Sequence, residues 1–172
     1  MTAIIIRGPL AVGKTTVAKL LARRLDGRYV SFDSILDDHG LDDAPEGSGI
    51  PLENFLKGNA LAMAQVQDAL DAGIVVVFDG CFYHLGQLED LISRCPGGSA
   101  VFTLKAALDT CVSRDRGRER SYGVDAATAV YFMASQFDYG TCIDTDGKTA
   151  EQVVVEIYEA IVKEAIGGHG ED

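Results

Sequence analysis

The sequence predicts an α/β fold built on a parallel sheet of five strands, and three observations carry that prediction. Short apolar or β-branched runs alternate with stretches of helical periodicity along all 172 residues. The first run, Ile4 to Ile6, leads at once into a glycine-rich turn and then into a helix pattern, the start of a strand–turn–helix unit. No internal repeat, linker or low-complexity segment divides the chain, so a single domain over 1–172 is expected.

Ile4 to Ile6 is apolar at every position, as a strand covered on both faces must be. Val17, Leu20, Leu21 and Leu25 recur at three- and four-residue intervals, giving a helix over Lys14 to Leu25 that Gly27 stops. Tyr29 to Phe32 reads as the second strand, ending at Asp33. From Asp33 to Glu53 the chain carries seven acids and no Lys or Arg, together with Gly40, Gly47 and Gly49, which predicts a mobile acidic loop with room for one helical turn. Pro51 suits a first helical position, and Phe55, Ala62, Val66 and Leu70 carry an apolar stripe to Gly73. Ile74 to Phe78 is the strongest strand signal and ends at Asp79-Gly80. A helix over His84 to Arg94 and a strand over Ala100 to Leu104 follow. The next helix starts at Leu108 and runs to Arg114, and another, capped by Asp125, reaches Gln136. Thr141 to Ile143 gives the fifth strand, Ala150 to Ile166 the last helix, and Gly167 to Asp172 a fraying tail.

Composition narrows the function. With 47% hydrophobic and 24% charged residues and a mean hydropathy of +0.10, the chain has no apolar run long enough to span a bilayer, and its N-terminus lacks the series of features that marks a secretory leader. Neither membrane insertion nor secretion is expected. Fifteen Lys and Arg against 26 Asp and Glu give a net charge of −11 and a sequence pI near 4.6, a surface that repels phosphate backbones and so disfavours long nucleic acid as a partner. Cys81, Cys95, Cys111 and Cys142 form no Cys-x-x-Cys pair, which predicts reduced small hydrophobes of a cytoplasmic protein. His39, His84 and His169 are scattered and read as surface residues.

Gly8-Pro9-Leu10-Ala11-Val12-Gly13-Lys14-Thr15 satisfies Gly-x-x-x-x-Gly-Lys-[Ser/Thr] between a predicted strand and a predicted helix. Glycines let the backbone curl so that successive N–H groups point inward at phosphate oxygens, and the helix N-terminus adds its partial positive charge. Lys14 then bridges the β- and γ-phosphates, and the Thr15 hydroxyl takes one position on an octahedral Mg²⁺. Gly8 through Thr16 is the predicted ATP-binding set, with Arg114 added from further along the chain.

On this motif and its flanking elements the chain resembles the P-loop kinases of the nucleoside-monophosphate-kinase type. Gluconate and shikimate kinases, chloramphenicol phosphotransferase and the kinase domain of polynucleotide kinases are similar in layout, and the resemblance covers nearly the whole chain. It implies a three-layer P-loop NTPase fold, with a five-stranded parallel sheet and an arginine-rich lid over about 114–124.

A carboxylate within reach of an acceptor hydroxyl can orient it and take its proton. Asp33, in Ser31-Phe32-Asp33-Ser34, matches the acceptor-binding carboxylate of the chloramphenicol phosphotransferase and polynucleotide kinase groups; a helix cap after the second strand is its structural alternative. Asp79-Gly80 resembles the Asp-Gly that ends the third strand in adenylate kinase-like enzymes, where the carboxylate supports Mg²⁺; a turn carboxylate is the alternative. Arg114 to Arg120 holds four arginines against two acids in a chain of net charge −11. Arg114 and Arg118 resemble the family's lid pair, sharing one helical face if the helix persists through Gly117, while Arg116 and Arg120 face solvent or the acidic loop. Ile143-Asp144-Thr145 resembles the adenine-contacting loop. Phe82-Tyr83, Tyr122-Gly123, Phe137 and Tyr139 are placed between an acceptor pocket and the core.

These residues together predict an Mg·ATP-dependent kinase that phosphorylates a hydroxyl of a small molecule, with Lys14, Asp33, Arg114 and Arg118 catalytic and Thr15 and Asp79 at the metal. A nucleoside or polynucleotide 5′-hydroxyl kinase is the first alternative, and a nucleotide-binding regulatory ATPase the second. The sequence leaves the oligomeric state open. Lys14→Ala is expected to abolish ATP-dependent thermal stabilisation, and a melting shift equal to that of the unaltered chain contradicts the loop assignment.

Overall fold

The chain runs through β1 (Ala3–Arg7), α1 (Lys14–Arg24), β2 (Arg28–Ser31), α2 (Phe32–Asp38), α3 (Leu52–Asp71), β3 (Val76–Gly80), α4 (Leu85–Arg94), β4 (Ser99–Lys105), α5 (Leu108–Arg116), α6 (Val124–Ala134), β5 (Thr141–Asp144) and α7 (Ala150–Gly167) in the computed structural model, which describes residues 1–45, 49–118 and 121–167. The five strands form one sheet in the order β2-β3-β1-β4-β5, every pairing parallel, as the alternation of strand and helix patterns requires.

Strand periodicity divides the core between the two faces of the sheet. Ile5 and Phe78 point into a cluster completed by α2, α3 and α4, with Phe32, Phe55, Val66 and Leu88 buried there. Ile4, Ile6 and Val77 point the other way, into a cluster shared with Leu21 of α1 and Ile157 of α7. A sheet covered on both sides needs apolar residues at consecutive strand positions, and Ala3 to Arg7 is buried throughout. Among the described residues no helix is long and apolar enough to cross a membrane.

Several elements depart from the expected ones. The acidic stretch does not begin as a loop: α2 starts directly after β2, so Phe32 belongs to the helix and the strand ends at Ser31. The Ser31 side chain caps α2 by accepting from the Ser34 amide at 3.3 Å, and Phe32, Ile35 and Leu36 supply a buried face at helical spacing. Glu46 and Gly47 of the predicted loop lie outside the described residues. The third strand starts at Val76 because the backbone before it is used elsewhere: the Ile74 amide closes α3 on Ala69 at 2.9 Å, and Ile74 is 41% exposed. Gly123, not Asp125, holds the N-cap of α6, leaving Asp125 in the first turn. His84 is half-buried rather than a surface residue, its Nε2 3.0 Å from the Ile50 carbonyl and its ring against Phe55 and Tyr83. His39 is exposed, whereas His169 and the tail over 168–172 lie outside the described residues. Cys81, Cys95 and Cys111 are buried and Cys142 exposed, all four as free thiols.

Arg7, at the carboxyl end of the central strand, is completely buried. Its guanidinium donates to the Ala134 carbonyl at 2.8 Å, the Phe137 carbonyl at 3.0 Å, the Thr103 hydroxyl at 3.1 Å and the Phe82 carbonyl at 3.3 Å, and it lies 4.2 Å from the Phe137 ring centroid. One side chain thus joins β1, β4, the segment after β3 and the end of α6 directly beneath the phosphate-binding turn. Burial drives its pKa below the ordinary arginine value, and the negative charge of Asp138 offsets part of that shift. Arg7→Met leaves at least three carbonyls without this donor and is expected to cost about 2–4 kcal/mol of stability; urea unfolding with an unchanged midpoint contradicts that role.

Candidate active site

Strand register assembles the site. β3 lies between β1 and β2, pairing Asp79 with Ile6 on one side and with Ser31 on the other. The turn after β1 and the helix after β2 therefore both leave the sheet beside Asp79, at the carboxyl ends of the strands where α/β sheets gather ligands.

The turn itself has the expected backbone. Gly8 has φ +148° and a Cβ there would lie 2.5 Å from the Leu104 carbonyl oxygen, so glycine alone fits. Gly13 has φ +109° and is the N-cap of α1 without any side-chain cap, while Ala11 between them is held at φ +60°. Alternation of left- and right-handed residues turns backbone N–H groups toward a common centre, and the uncapped helix end adds donors of its own. Pro9, Leu10, Ala11 and Val12 are buried, whereas Thr15 and Thr16 present the exposed side of the first helical turn.

Lys14 is buried and folded back over the turn, its Nζ donating to the Pro9 carbonyl at 2.8 Å and lying 3.6 Å from Cys81 Sγ. Burial opposes its charge, but Cys81, Asp33 and Asp79 outweigh that effect and hold the ammonium pKa above its usual value. Burial raises the Cys81 thiol to about 11, so at neutral pH the two carboxylates carry the compensation.

Asp79 is 2% exposed and accepts from two hydroxyls, Thr15 Oγ1 to Oδ2 at 2.6 Å and Tyr29 to Oδ1 at 2.8 Å. Tyr29 carries no functional signal in the sequence, where it is one residue of a short strand; burial and then the Asp79 charge raise its pKa far above the usual phenol value. A hydroxyl and a carboxylate side by side suit a hard cation that keeps most of its shell for water and phosphate oxygens. Among the described residues no group of three or more His, Cys, Asp or Glu forms a self-contained metal cage.

Asp33 lies in the first turn of α2 and opens on a cavity of about 460 Å³ whose lining includes Leu10, Cys81 and Tyr83. Ser31 fills the capping role that was Asp33's structural alternative. Surroundings that enclose the carboxylate below its open face push its pKa up, Lys14 and Arg118 pull it down, and Asp79 pushes it up again; the net shift is upward.

The arginines separate. Arg114 donates to the Val12 carbonyl at 3.2 Å and to the hydroxyl and carbonyl of Thr145 at 3.1 Å each, bracing the phosphate-binding turn from α5. Thr145, buried after β5, also donates to the Val12 carbonyl at 3.3 Å. α5 ends at Arg116, with Gly117 as its C-cap, so Arg118 lies beyond the helix and does not continue the Arg114 face; Arg116 and Arg118 are exposed, and Arg120 lies outside the described residues. Buried Asp115 gathers Ser121 Oγ at 2.6 Å and the Tyr122 and Gly123 amides at 3.1 and 3.2 Å, fixing the entry to α6. Of the aromatic residues, Tyr83 and Tyr122 line the cavity, Phe82 is core and Phe137 packs on Arg7.

The AAA domain family matches residues 4–129 of the chain. A shikimate kinase of Geobacter sulfurreducens is 29% identical, over 90% of this chain and 87% of the relative. A Thermococcus kodakarensis protein named as a candidate adenylate kinase is also 29% identical, over 95% of this chain and 89% of its own length. The solved structure of a gluconokinase from Sinorhizobium meliloti superposes with a TM-score of 0.76 at 15% identity, covering 98% of this chain and 97% of that one, a likeness of fold.

The raised Asp33 pKa has a consequence for stability. The folded state holds this proton more tightly than the unfolded chain does, so the ionised carboxylate costs stability above its folded pKa, and the cost fades as pH falls through that value. Asp33→Asn is expected to raise the melting temperature at neutral pH, with the gain vanishing below the ordinary carboxyl range. A loss of stability at neutral pH, or a gain independent of pH, contradicts this electrostatic environment.

Proposed function

The chain belongs to the AAA domain family, and from that premise we propose that it is an Mg·ATP-dependent kinase acting on a hydroxyl of a small molecule, a cytoplasmic enzyme whose 172 residues act as one domain. The observation that carries this reading is that Lys14, beneath the phosphate-binding turn, lies 3.6 Å from Cys81 Sγ, and Cys81 lines the same cavity as Asp33. A turn that only bound nucleotide would not need a carboxylate-lined cavity beside it. Relatives named for shikimate and gluconate, both alcohols, support a hydroxyl acceptor.

The residues present fit both ATP and its metal. Gly8 to Gly13 form a cradle of backbone donors that a Cβ at Gly8 would destroy, and the first turn of α1, including Thr16, is free of side-chain caps. Thr15 and Asp79 would hold Mg²⁺. When bound, Mg·ATP supplies the γ-phosphoryl group and the charge neutralisation around it.

The chain's own groups then divide the work. Lys14 places a buried positive charge where negative charge grows during transfer, and the balance kept by Asp33 and Asp79 ensures that it stays protonated. Asp33 orients the acceptor hydroxyl and takes its proton at a carboxylate oxygen, a task its raised pKa favours. Arg114 keeps the turn in shape through Val12 and Thr145. Arg118, exposed and close enough to act on the Asp33 charge, belongs to a lid over about 114–124 that covers the phosphates and excludes water.

Asp33→Asn is expected to lower kcat by about 10²–10⁴-fold while the KM for ATP changes little. Turnover equal to that of the unaltered chain contradicts the proton-accepting role, and ATP hydrolysis that no alcohol accelerates favours a regulatory ATPase instead.

A further inference from the structure

The cavity beside Asp33 has two unlike walls. α2 supplies Asp33 and Asp37, one turn apart on the same face, and the chain after it adds Asp42. α6 adds Ala126, Ala129 and Met133 to the lining at helical spacing. No Lys, Arg or His is among the described residues that line it.

The two outer carboxylates have no evident task in the fold. Asp33 is accounted for by proton transfer, whereas the Asp37 and Asp42 side chains make no hydrogen bond or ion pair among the described residues, although both face the cavity. An anionic acceptor, carboxylate or phosphate, would enter against three acids and meet no cation among the described lining residues, since Lys14 and Arg118, whose charges reach Asp33, are not part of that lining. It would also compete with the terminal phosphate for Lys14, which already serves the turn. A protonated amine meets the opposite situation, since it supplies up to three donors and the charge that these oxygens lack. The α6 wall, made of small apolar side chains, accepts a ring or hydrocarbon face in contact.

We propose that the phosphoryl acceptor is an alcohol bearing a protonated amine next to an apolar face, and that Asp37 and Asp42 select it by charge. This rests on the kinase reading above and adds the acceptor's chemical class to it. The amine is held at the Asp37 and Asp42 side of the cavity, the apolar face lies on α6, and the hydroxyl is left for Asp33. Phosphoryl transfer conserves atoms in the usual way: the acceptor oxygen forms a bond to phosphorus, the bond from phosphorus to the bridging oxygen breaks, ADP leaves, and the hydroxyl proton goes to Asp33.

Three ring alcohols matched in shape test the idea: 2-aminocyclohexanol, cyclohexane-1,2-diol and 2-hydroxycyclohexanecarboxylate, joined by glucosamine, glucose and gluconate as a second set. Each is incubated with the full-length protein, magnesium and ATP labelled at the γ-phosphate, and label in the alcohol is measured. ATP binding is measured in parallel by equilibrium dialysis. Amine-bearing members are expected to accept label at least ~10-fold faster than their neutral and carboxylate counterparts, and Asp37→Asn combined with Asp42→Asn to erase most of that difference by raising KM for the amines. Equal or faster labelling of the carboxylates overturns the proposal, as does ATP binding without label in any amine-bearing member, or a preference that survives the double substitution. Absence of ATP binding in the dialysis arm identifies a failure of the kinase reading itself.

Discussion

The positive charge of Lys14, sealed beneath a turn that leaves it a single backbone acceptor and a neutral thiol, is the constraint on which the rest of the site depends. A buried ammonium persists only where negative potential offsets its lost hydration. Asp79 supplies that potential from the end of β3 and Asp33 from the first turn of α2, which couples the geometry of the phosphate turn to the register of β1, β2 and β3. The same carboxylates are the groups to which the proposed kinase reading gives the metal and the acceptor, Asp79 beside the Thr15 hydroxyl and Asp33 on the cavity, so that reading asks for no charge beyond those that already balance Lys14.

Around that centre the fold spends much of its buried polarity on keeping backbone in place. Arg7 ties four separate segments to the base of the turn, Arg114 and Thr145 hold the Val12 carbonyl from the other side, and Asp115 collects the amides that lead into α6. Where these bonds are buried, as from Arg7 to the Ala134 carbonyl and from Thr145 to the Val12 carbonyl, an unmade hydrogen bond costs more than a made one contributes. A loop with residues at positive φ needs such bracing, because the strain at Ala11 has to be outweighed by its surroundings.

How much of this could be read from the chain follows from the range of each interaction. Local signals located the strands, most helices and the phosphate turn, since glycine spacing and apolar periodicity act within a few residues. The positions of Asp33 and Asp79 at the carboxyl side of the sheet are legible because each follows or closes an apolar strand run, Asp79 within β3 and Asp33 two residues beyond β2. α2 is masked in the sequence by the acids that surround it, although the Ser31 cap and the helical spacing of Phe32, Ile35 and Leu36 are written in the same letters. Arg7 and Tyr29 act on partners set by strand register and by carbonyls more than a hundred residues away, which no local pattern encodes. A charged residue closing an otherwise β-branched, fully buried strand was the one hint available for Arg7. Arg114 stands out in the sequence by its charge, while its partners in the structure, the Val12 carbonyl and Thr145, follow from tertiary placement that charge does not encode.

The central claim is that the main chain from Gly8 to Thr15 wraps a triphosphate with its terminal phosphorus toward the Asp33 cavity. Calorimetric titration of the protein with ATP in saturating magnesium tests this most directly. A saturable heat fitting one site per chain is the result the account predicts; no heat with either adenine or guanine triphosphate would contradict it.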